Sequence, residues 1–118
     1  EVILNFDYEQ FNRVFFNLIK NSLESIQEKA KKANKINKKI NIELRQRRDY
    51  ITVNLIDTGI GFKDKQAKEL IRPYYTTKQK GTGLGLSIVD KIISDHNGSI
   101  KFLNHKNGAK IQIILPIK

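Results

Sequence analysis

The sequence predicts an α+β fold with a largely antiparallel sheet and helices on one of its faces. Apolar residues recur at helical spacing in two long segments, whereas five other segments are predicted to be strands. The helical segments are separated from most of the strands, a pattern typical of a sheet covered by helices on one side. With 118 residues, 39% of them hydrophobic, the chain has enough apolar material for one core, so residues 1–118 are predicted to form a single domain.

The first half of the chain is predicted to form a strand, a long helix and a hairpin. A short strand over residues 2–6 precedes Asp7, which can cap the next helix. A buried stripe at helical spacing then predicts a helix to about Glu28, after which a lysine-rich linker begins. The stripe consists of Phe11, Val14, Phe15, Leu18, Ser22 and Ile26. Two alternating runs around a turn at Arg48 and Asp49 then predict an antiparallel hairpin, its apolar positions being Ile40, Ile42, Leu44, Ile51, Val53 and Leu55.

The second half is predicted to contain two further helices and two closing strands. A short helix over residues 64–71 ends before Pro73, which cannot continue it. A longer helix from Gly83 to His96 is closed by Asn97 and Gly98. Strands over residues 99–103 and 110–115 follow, joined by a turn at residues 107 and 108.

The composition limits the classes of function. The chain has no cysteine and no membrane-spanning apolar run, and the absence of methionine even at position 1 predicts that it is a piece of a longer protein. Its net charge of +10 makes a nucleic-acid-binding module one alternative. A solvated helix end and loop is the other interpretation of the densest lysine cluster, which has no aromatic residue among its members Lys29, Lys31, Lys32, Lys35, Lys38 and Lys39.

Asn17 and Asn21 are the first candidate site residues. They are four positions apart in the first helix, so their side chains point the same way. They are either two polar residues on the solvent-exposed side of the helix or ligands that bind magnesium through their amide oxygens, since magnesium prefers oxygen ligands. The pair alone does not decide between these interpretations.

Asp57 opens the second candidate element, the sequence DTGIGF. It ends a strand in register with Ile51, Val53 and Leu55, so its carboxylate points toward the apolar face, where it needs a partner. It either caps a turn or accepts a hydrogen bond from an exocyclic amine such as that of adenine. Gly59 and Gly61 would then let the backbone approach the base closely.

The third element is the glycine-rich sequence KGTGLGLSIV. Gly81, Gly83 and Gly85 precede a helix, and free amides at a helix N-terminus form a candidate phosphate cradle. The sequence lacks the strand and spacing of a dinucleotide fingerprint, and it lacks a P-loop. The residues just before the glycines supply hydroxyl groups and positive charges. They form either an ordinary polar loop or a mobile lid that closes over phosphates, and they are Thr76, Thr77, Lys78 and Lys80.

Taken together, these motifs resemble the catalytic ATP-binding domain of bacterial two-component sensor histidine kinases, in the GHKL superfamily. FNLIKNSLESI is similar to the N box of that family, DTGIGF to its G1 box, PYYTTK to its F box and GTGLGLSIV to its G2 box. Within the family the chain looks most like nitrogen-regulation sensors of the NtrY and NtrB kind. The resemblance implies a two-layer α/β sandwich, the Bergerat ATP-binding fold, with a mixed, mostly antiparallel sheet and about three helices on one face.

The resemblance also implies residue roles. Asn21 would bind magnesium, Asn17 would be its catalytic neighbour, and Asp57 would bind the adenine amine beside Gly59 and Gly61. Tyr74 and Tyr75 lie near the lid-anchoring aromatic of the F box. The expected nucleotide contacts also include Lys20, Tyr75, Thr76, Thr77, Lys78, Gly81, Thr82, Gly83, Leu84, Gly85 and Leu86.

Three differences from related families bear on mechanism. ATP-hydrolysing relatives carry a glutamate base where Asn17 stands, and an amide cannot take a proton at neutral pH, which favours phosphoryl transfer over hydrolysis. Glu24 replaces a phosphate-contacting cation, so Lys20 or Lys78 is expected to supply that contact. Neither His96 nor His105 is followed by the acidic residue and proline of a phosphoacceptor box.

The expected partners are therefore ATP and ADP with Mg²⁺, a separate dimerisation and phosphoacceptor domain, and indirectly a response regulator. We expect no nucleic-acid or membrane contact by this chain, which would be monomeric alone and dimeric in its parent. The expected location is cytoplasmic, and the resemblance allows a parent anchored in the inner membrane. The alternatives are a serine kinase of the anti-sigma-factor type, which shares this fold, and the nucleic-acid-binding module.

Overall fold

The computed structural model describes residues 7–32, 37–62, 85–106 and 108–117. Within these ranges the chain forms two helices and four strands, with the bounds α1 Tyr8–Lys32, β1 Ile40–Gln46, β2 Tyr50–Asp57, α2 Gly85–Asp95, β3 Ser99–His105 and β4 Gly108–Pro116. The strands form one sheet in the order β1-β2-β4-β3, and all three pairings are antiparallel. The predicted α+β class is confirmed. The predicted strand over residues 2–6 and helix over residues 64–71 lie outside the described residues.

Helix α1 begins at a cap and ends later than the sequence predicts. The side chain of Asp7 accepts a hydrogen bond from the backbone N–H of Gln10 at 3.1 Å, as an N-cap does. The helix continues to Lys32 rather than ending near Glu28, so the predicted linker begins too early. The last turn contains several lysines, whose charge is favourable at the negative end of the helix dipole.

The apolar core lies between the two helices and one face of the sheet. Cross-strand pairs of β2 and β4, such as Val53 with Ile113 and Leu55 with Ile111, supply its sheet side. The helices cover this face with fully or almost fully buried side chains, namely Phe11, Val14, Leu18, Val89, Ile92 and Ile93. The predicted placement of helices on one face of the sheet is therefore confirmed for the described residues.

Helix α2 ends with the closure that its sequence predicts. Asn97 adopts a left-handed backbone conformation with φ of 62°, and the N–H of Gly98 donates to the carbonyl of Ile93 at 2.9 Å. These two features satisfy the free carbonyls at the helix end. The chain then turns directly into β3.

His96 connects the end of α2 to the start of α1. Its Nε2 lies 3.1 Å from the backbone nitrogen of Asp7, and its Nδ1 lies 2.8 Å from the carbonyl oxygen of Ile92. Since a backbone N–H can only donate and a carbonyl can only accept, Nε2 is the acceptor and Nδ1 carries the proton. The ring also meets Phe11 edge to face, with centroids 4.7 Å apart. His96 is therefore a structural residue.

Strand β1 is largely exposed on both of its faces. Ile42 and Leu44 point to the same side as the core residues of β2, yet they remain 53% and 64% exposed. The reason is that α1 and α2 lie over the central strands β2 and β4. Within the described ranges, neither helix is apolar enough over sufficient length to cross a membrane.

Replacing Leu18 by alanine should lower the free energy of unfolding by about 2–5 kcal/mol, because the fully buried side chain leaves a cavity between α1 and the sheet. Leu23→Ala is the matched control on the same helix, since Leu23 is 49% exposed and should change stability by no more than about 0.5 kcal/mol. Urea unfolding followed by circular dichroism measures both variants. Equal losses would show that the α1 register is wrong.

Candidate functional site

The carboxylate of Asp57 is buried at the end of β2, and three hydrogen bonds from the described part of the chain hold it. Its Oδ1 accepts from the backbone N–H of Gly59 at 2.8 Å and of Ala109 at 3.3 Å, and its Oδ2 accepts from the Ser22 hydroxyl at 2.8 Å. These donors offset the cost of burying a charge that is only 3% exposed. Because each carboxylate oxygen can accept two hydrogen bonds, Oδ2 can accept from one further donor.

Helix α1 contacts the turn that follows β2 through a second serine. The N–H of Ile60 donates to Ser25 Oγ at 2.9 Å. A β-carbon at Gly59 would collide with the Ser25 side chain, so this position has no room for any residue larger than glycine. The first glycine of DTGIGF is therefore required by the approach of the turn to the helix.

The second glycine of the turn has a conformational role. Gly61 has φ of +75°, a value that side-chain-bearing residues rarely adopt. The next N–H, that of Phe62, donates to Asn104 Oδ1 at 2.8 Å, and the Phe62 ring packs edge to face on Phe102 with centroids 5.6 Å apart. The chain leaving the turn is thus attached to β3.

The β3–β4 connection approaches the same turn from the other side. A β-carbon at Gly108 would collide with the carbonyl oxygen of Asp57 and would lie 2.8 Å from the nitrogen of Gly59. This close approach brings the N–H of Ala109 within reach of the Asp57 carboxylate. Glycine at 108 is therefore a condition for the geometry of the site.

The first turn of α2 lies against the two asparagines of α1. A β-carbon built on Gly85 would be 3.9 Å from Cγ of Asn17 and 3.9 Å from Nδ2 of Asn21. No acidic residue occurs in the first turn of α2, so the positive end of its dipole is not neutralised from within that turn. Two half-buried amide side chains and a helix N-terminus thus face a common space, an arrangement suited to an anion with a bound cation.

Two further residues singled out in the sequence, Lys20 and Leu86, lie within the described ranges. Lys20 lies on α1 between the asparagines, with an exposed side chain, and Leu86 packs against the core. Among the described residues there is no group of three or more histidine, cysteine, aspartate or glutamate side chains that could hold a metal ion. The other predicted contacts lie outside the described residues: Tyr75, Thr76, Thr77, Lys78, Gly81, Thr82, Gly83 and Leu84, and also Tyr74 and Lys80.

Sequence reasoning missed the residues that hold the turn. Ser22 and Ser25 are three apart on α1, so their placement on one face after Asn21 was a usable signal. Asn104, Gly108 and Ala109 had no such signal. They reach the turn only because β4 pairs with β2, which is a long-range contact.

Comparison with known proteins identifies the family. The family described as histidine kinase-, DNA gyrase B-, and HSP90-like ATPase matches residues 6–118. Sporulation kinase C of Bacillus subtilis (strain 168) is 31% identical over 98% of this chain, and a putative NtrY-like sensor histidine kinase of Rickettsia felis is 35% identical over 95%. The chain covers only 26% and 18% of the length of these two relatives.

Solved structures give the same result for the fold. The catalytic domain of histidine kinase ThkA, in a nucleotide-free form, is 32% identical and superimposes with a TM-score of 0.77 over 96% of this chain and 70% of that one. The mycobacterial sensor histidine kinase MprB shares only 19% identity but superimposes with a TM-score of 0.80, over 98% of this chain and 75% of that one. The resemblance to NtrY-type sensors is confirmed, and sporulation kinases are similar to the same degree.

The chain therefore belongs to the histidine kinase-, DNA gyrase B- and HSP90-like ATPase family, as a catalytic ATP-binding domain of the sensor histidine kinase class.

Proposed function

We propose that this domain binds Mg²⁺-ATP and transfers the γ-phosphoryl group to a histidine on a separate phosphoacceptor domain in two-component signalling. One observation carries the proposal: the asparagines of α1 meet the N-terminus of α2 at Gly85. The phosphates are assigned to this space, and the base is assigned to Asp57. The family and the relatives support ATP use.

The adenine end of the site depends on the unused acceptor capacity of Asp57. The exocyclic amine of adenine is a donor and suits Oδ2, whereas guanine presents a carbonyl at the same position of its ring. Gly59 and Gly61 allow the base to lie against the backbone of the turn. Ser22 holds the carboxylate in place at 2.8 Å, so the orientation of the acceptor is set before the nucleotide arrives.

The phosphate end depends on amide groups. Asn21, with Asn17 beside it, would hold Mg²⁺ through side-chain oxygen, and the ion when bound would neutralise charge on the phosphates. Asn17 cannot act as a general base, so the site would hold ATP without activating water. Its contribution would be to position the γ-phosphoryl group for a nucleophile from another domain.

The two histidines of this chain do not suit the role of phosphoacceptor. Both ring nitrogens of His96 contact backbone groups, and His105 lies at the exposed end of β3. The proposed partners are therefore a dimerisation and phosphoacceptor domain elsewhere in the parent kinase and, through it, a response regulator. We propose a cytoplasmic location for the domain, which would be monomeric alone and part of a dimer in the parent.

Phosphoryl transfer is tested by incubating the domain with γ-labelled ATP, Mg²⁺ and a phosphoacceptor domain supplied as a separate chain. We expect the label on the acceptor domain in an acid-labile, alkali-stable form, as phosphohistidine is, and no label on the domain incubated alone. Acid-stable phosphoserine would instead assign the chain to the serine kinases that share this fold. Release of inorganic phosphate as the only product would contradict the role given to Asn17.

Asp57→Asn should abolish most of the preference for ATP over GTP and preserve the fold. The amide oxygen can still accept from Gly59 and Ala109, and the amide nitrogen can donate to Ser22, but it presents a donor to the adenine amine. We expect ATP affinity to fall at least about tenfold, the effect of losing a hydrogen bond to a charged group.

Isothermal titration with both nucleotides measures this change, and thermal unfolding checks the fold. Asp49→Asn, the same substitution at an exposed turn, should alter neither. An unchanged ATP preference in Asp57→Asn would contradict the assignment of the base.

Asn21→Ala should remove the magnesium-dependent part of ATP binding, because it deletes the proposed oxygen ligand. The variant should then bind ATP with the same affinity whether or not Mg²⁺ is present. That affinity should equal the affinity of the wild type measured in EDTA. Asn41→Ala, an exposed asparagine on β1, is the matched control and should keep the full response to Mg²⁺. If Asn21→Ala also kept that response, the metal site would lie elsewhere.

A further inference from the structure

The side of the sheet that faces away from the helices is a polar surface with no role in the proposed chemistry. We call it the outer face. Its four strands present hydrophilic and basic side chains around the central strand β2, and the residues that line its concave part are Glu43, Arg45, Arg47, Tyr50, Thr52, Asn54, Lys110, Gln112 and Ile114. The concave part encloses about 310 Å³.

Asn54 lies at the centre of the outer face, and its side-chain oxygen has no hydrogen-bond partner among the described residues. The residue is only 5% exposed, and its Oδ1 is buried without a donor in reach among the described residues. A buried acceptor left in this state is costly, and such atoms in native proteins often mark a missing partner.

Basic side chains flank Asn54 on two opposite diagonals. Asn54 is paired with Glu43 on β1 and with Gln112 on β4. Arg45 and Lys110 are each two residues along from these partners, in opposite directions across the sheet. Since diagonal neighbours lie about 7–8 Å apart in the sheet, the backbone positions of Arg45 and Lys110 are separated by roughly 15 Å with Asn54 between them.

Positive charge predominates among the described residues of the outer face. Neither Arg45 nor Lys110 forms an ion pair within the described part of the chain. Arg47 at the end of the hairpin adds a third cation, and Glu43 is the one acidic residue lining the concave part. The surface is thus complementary to negative charge, in keeping with the net charge of +10.

The form of the surface favours a polypeptide over a small molecule. Small-molecule sites are usually enclosed and mostly apolar, whereas this region is open and lined by charged and amide side chains. Contacts between domains are polar and shallow in the same way. An extended chain advances about 3.3 Å per residue, so carboxylates four residues apart would lie roughly 13 Å from one another, a spacing that the long side chains of Arg45 and Lys110 can reach.

We propose that the outer face binds an acidic, extended polypeptide segment of a partner protein. Its carboxylates accept hydrogen bonds from Arg45 and Lys110, which flank Asn54 on opposite sides. The nucleotide site lies on the helix side of the sheet, formed by α1, α2 and the turn after β2. The two ligands therefore bind independently, and the proposal does not rest on the phosphoryl-transfer function.

The test uses NMR of the ¹⁵N-labelled domain titrated with a peptide of roughly ten residues in which aspartate alternates with serine, so that carboxylates share one side of the strand. We expect amide shifts centred on Thr52, Asn54 and Gln112, present with or without ATP. The matched peptide with asparagine in place of aspartate should cause none. Shifts of equal size with both peptides, or shifts confined to Asn17, Asn21 and Gly85, would overturn the proposal.

Two pairs of variants separate the local surface from the overall charge. Arg45→Glu should weaken peptide binding about tenfold, whereas Lys31→Glu, the same change at an exposed position on α1, should have less than about a twofold effect in roughly 0.15 M salt. Glu43→Gln should tighten peptide binding about threefold, a gain that a misfolded variant could not produce. Glu28→Gln, the same substitution on α1, is its control. Equal effects within either pair would show that net charge alone attracts the peptide and would overturn the assigned surface.

Discussion

The buried carboxylate of Asp57 is the constraint on which the rest of the site depends. A charge withdrawn from water must be met by donors, and here they come from Ser22 on α1, from Gly59 in the turn and from Ala109 on β4. Three parts of the chain that are distant in sequence are thereby held around one group. Among the described residues these contacts leave one acceptor position of the carboxylate open, and this is the position proposed for the adenine amine.

The small residues around this carboxylate follow from the same constraint. Gly59 lies against Ser25, and Gly108 lies against the backbone of the turn, so neither position can accept a side chain without moving α1 or β4. Glycine at these positions serves close approach, whereas Gly61 serves a left-handed conformation. Gly59 and Gly61 of the same short motif therefore have different structural roles, which their spacing in the sequence does not reveal.

The sheet divides the molecule into two surfaces with different chemistry. Its inner face is apolar and covered by α1 and α2, and the proposed nucleotide site lies where these helices meet beyond the end of β2. Its outer face is polar and contains an amide, Asn54, whose buried oxygen has no partner among the described residues. In a stable domain the cost of such a group must be offset elsewhere, here by the apolar packing on the opposite face of the same strands.

The sequence by itself determined the fold class, the hairpin and both described helices, and it singled out Asn17, Asn21 and Asp57, because periodicity, caps and glycine-rich turns are local signals. It placed the end of α1 too early, and it gave no indication that Ile42 and Leu44 would be exposed. Only the tertiary structure decided that Asn17 and Asn21 face Gly85, that Ala109 and Asn104 hold the turn, and that the Asn54 oxygen has no partner within the described ranges. These facts depend on strand pairing and helix packing between distant segments, which no local pattern encodes.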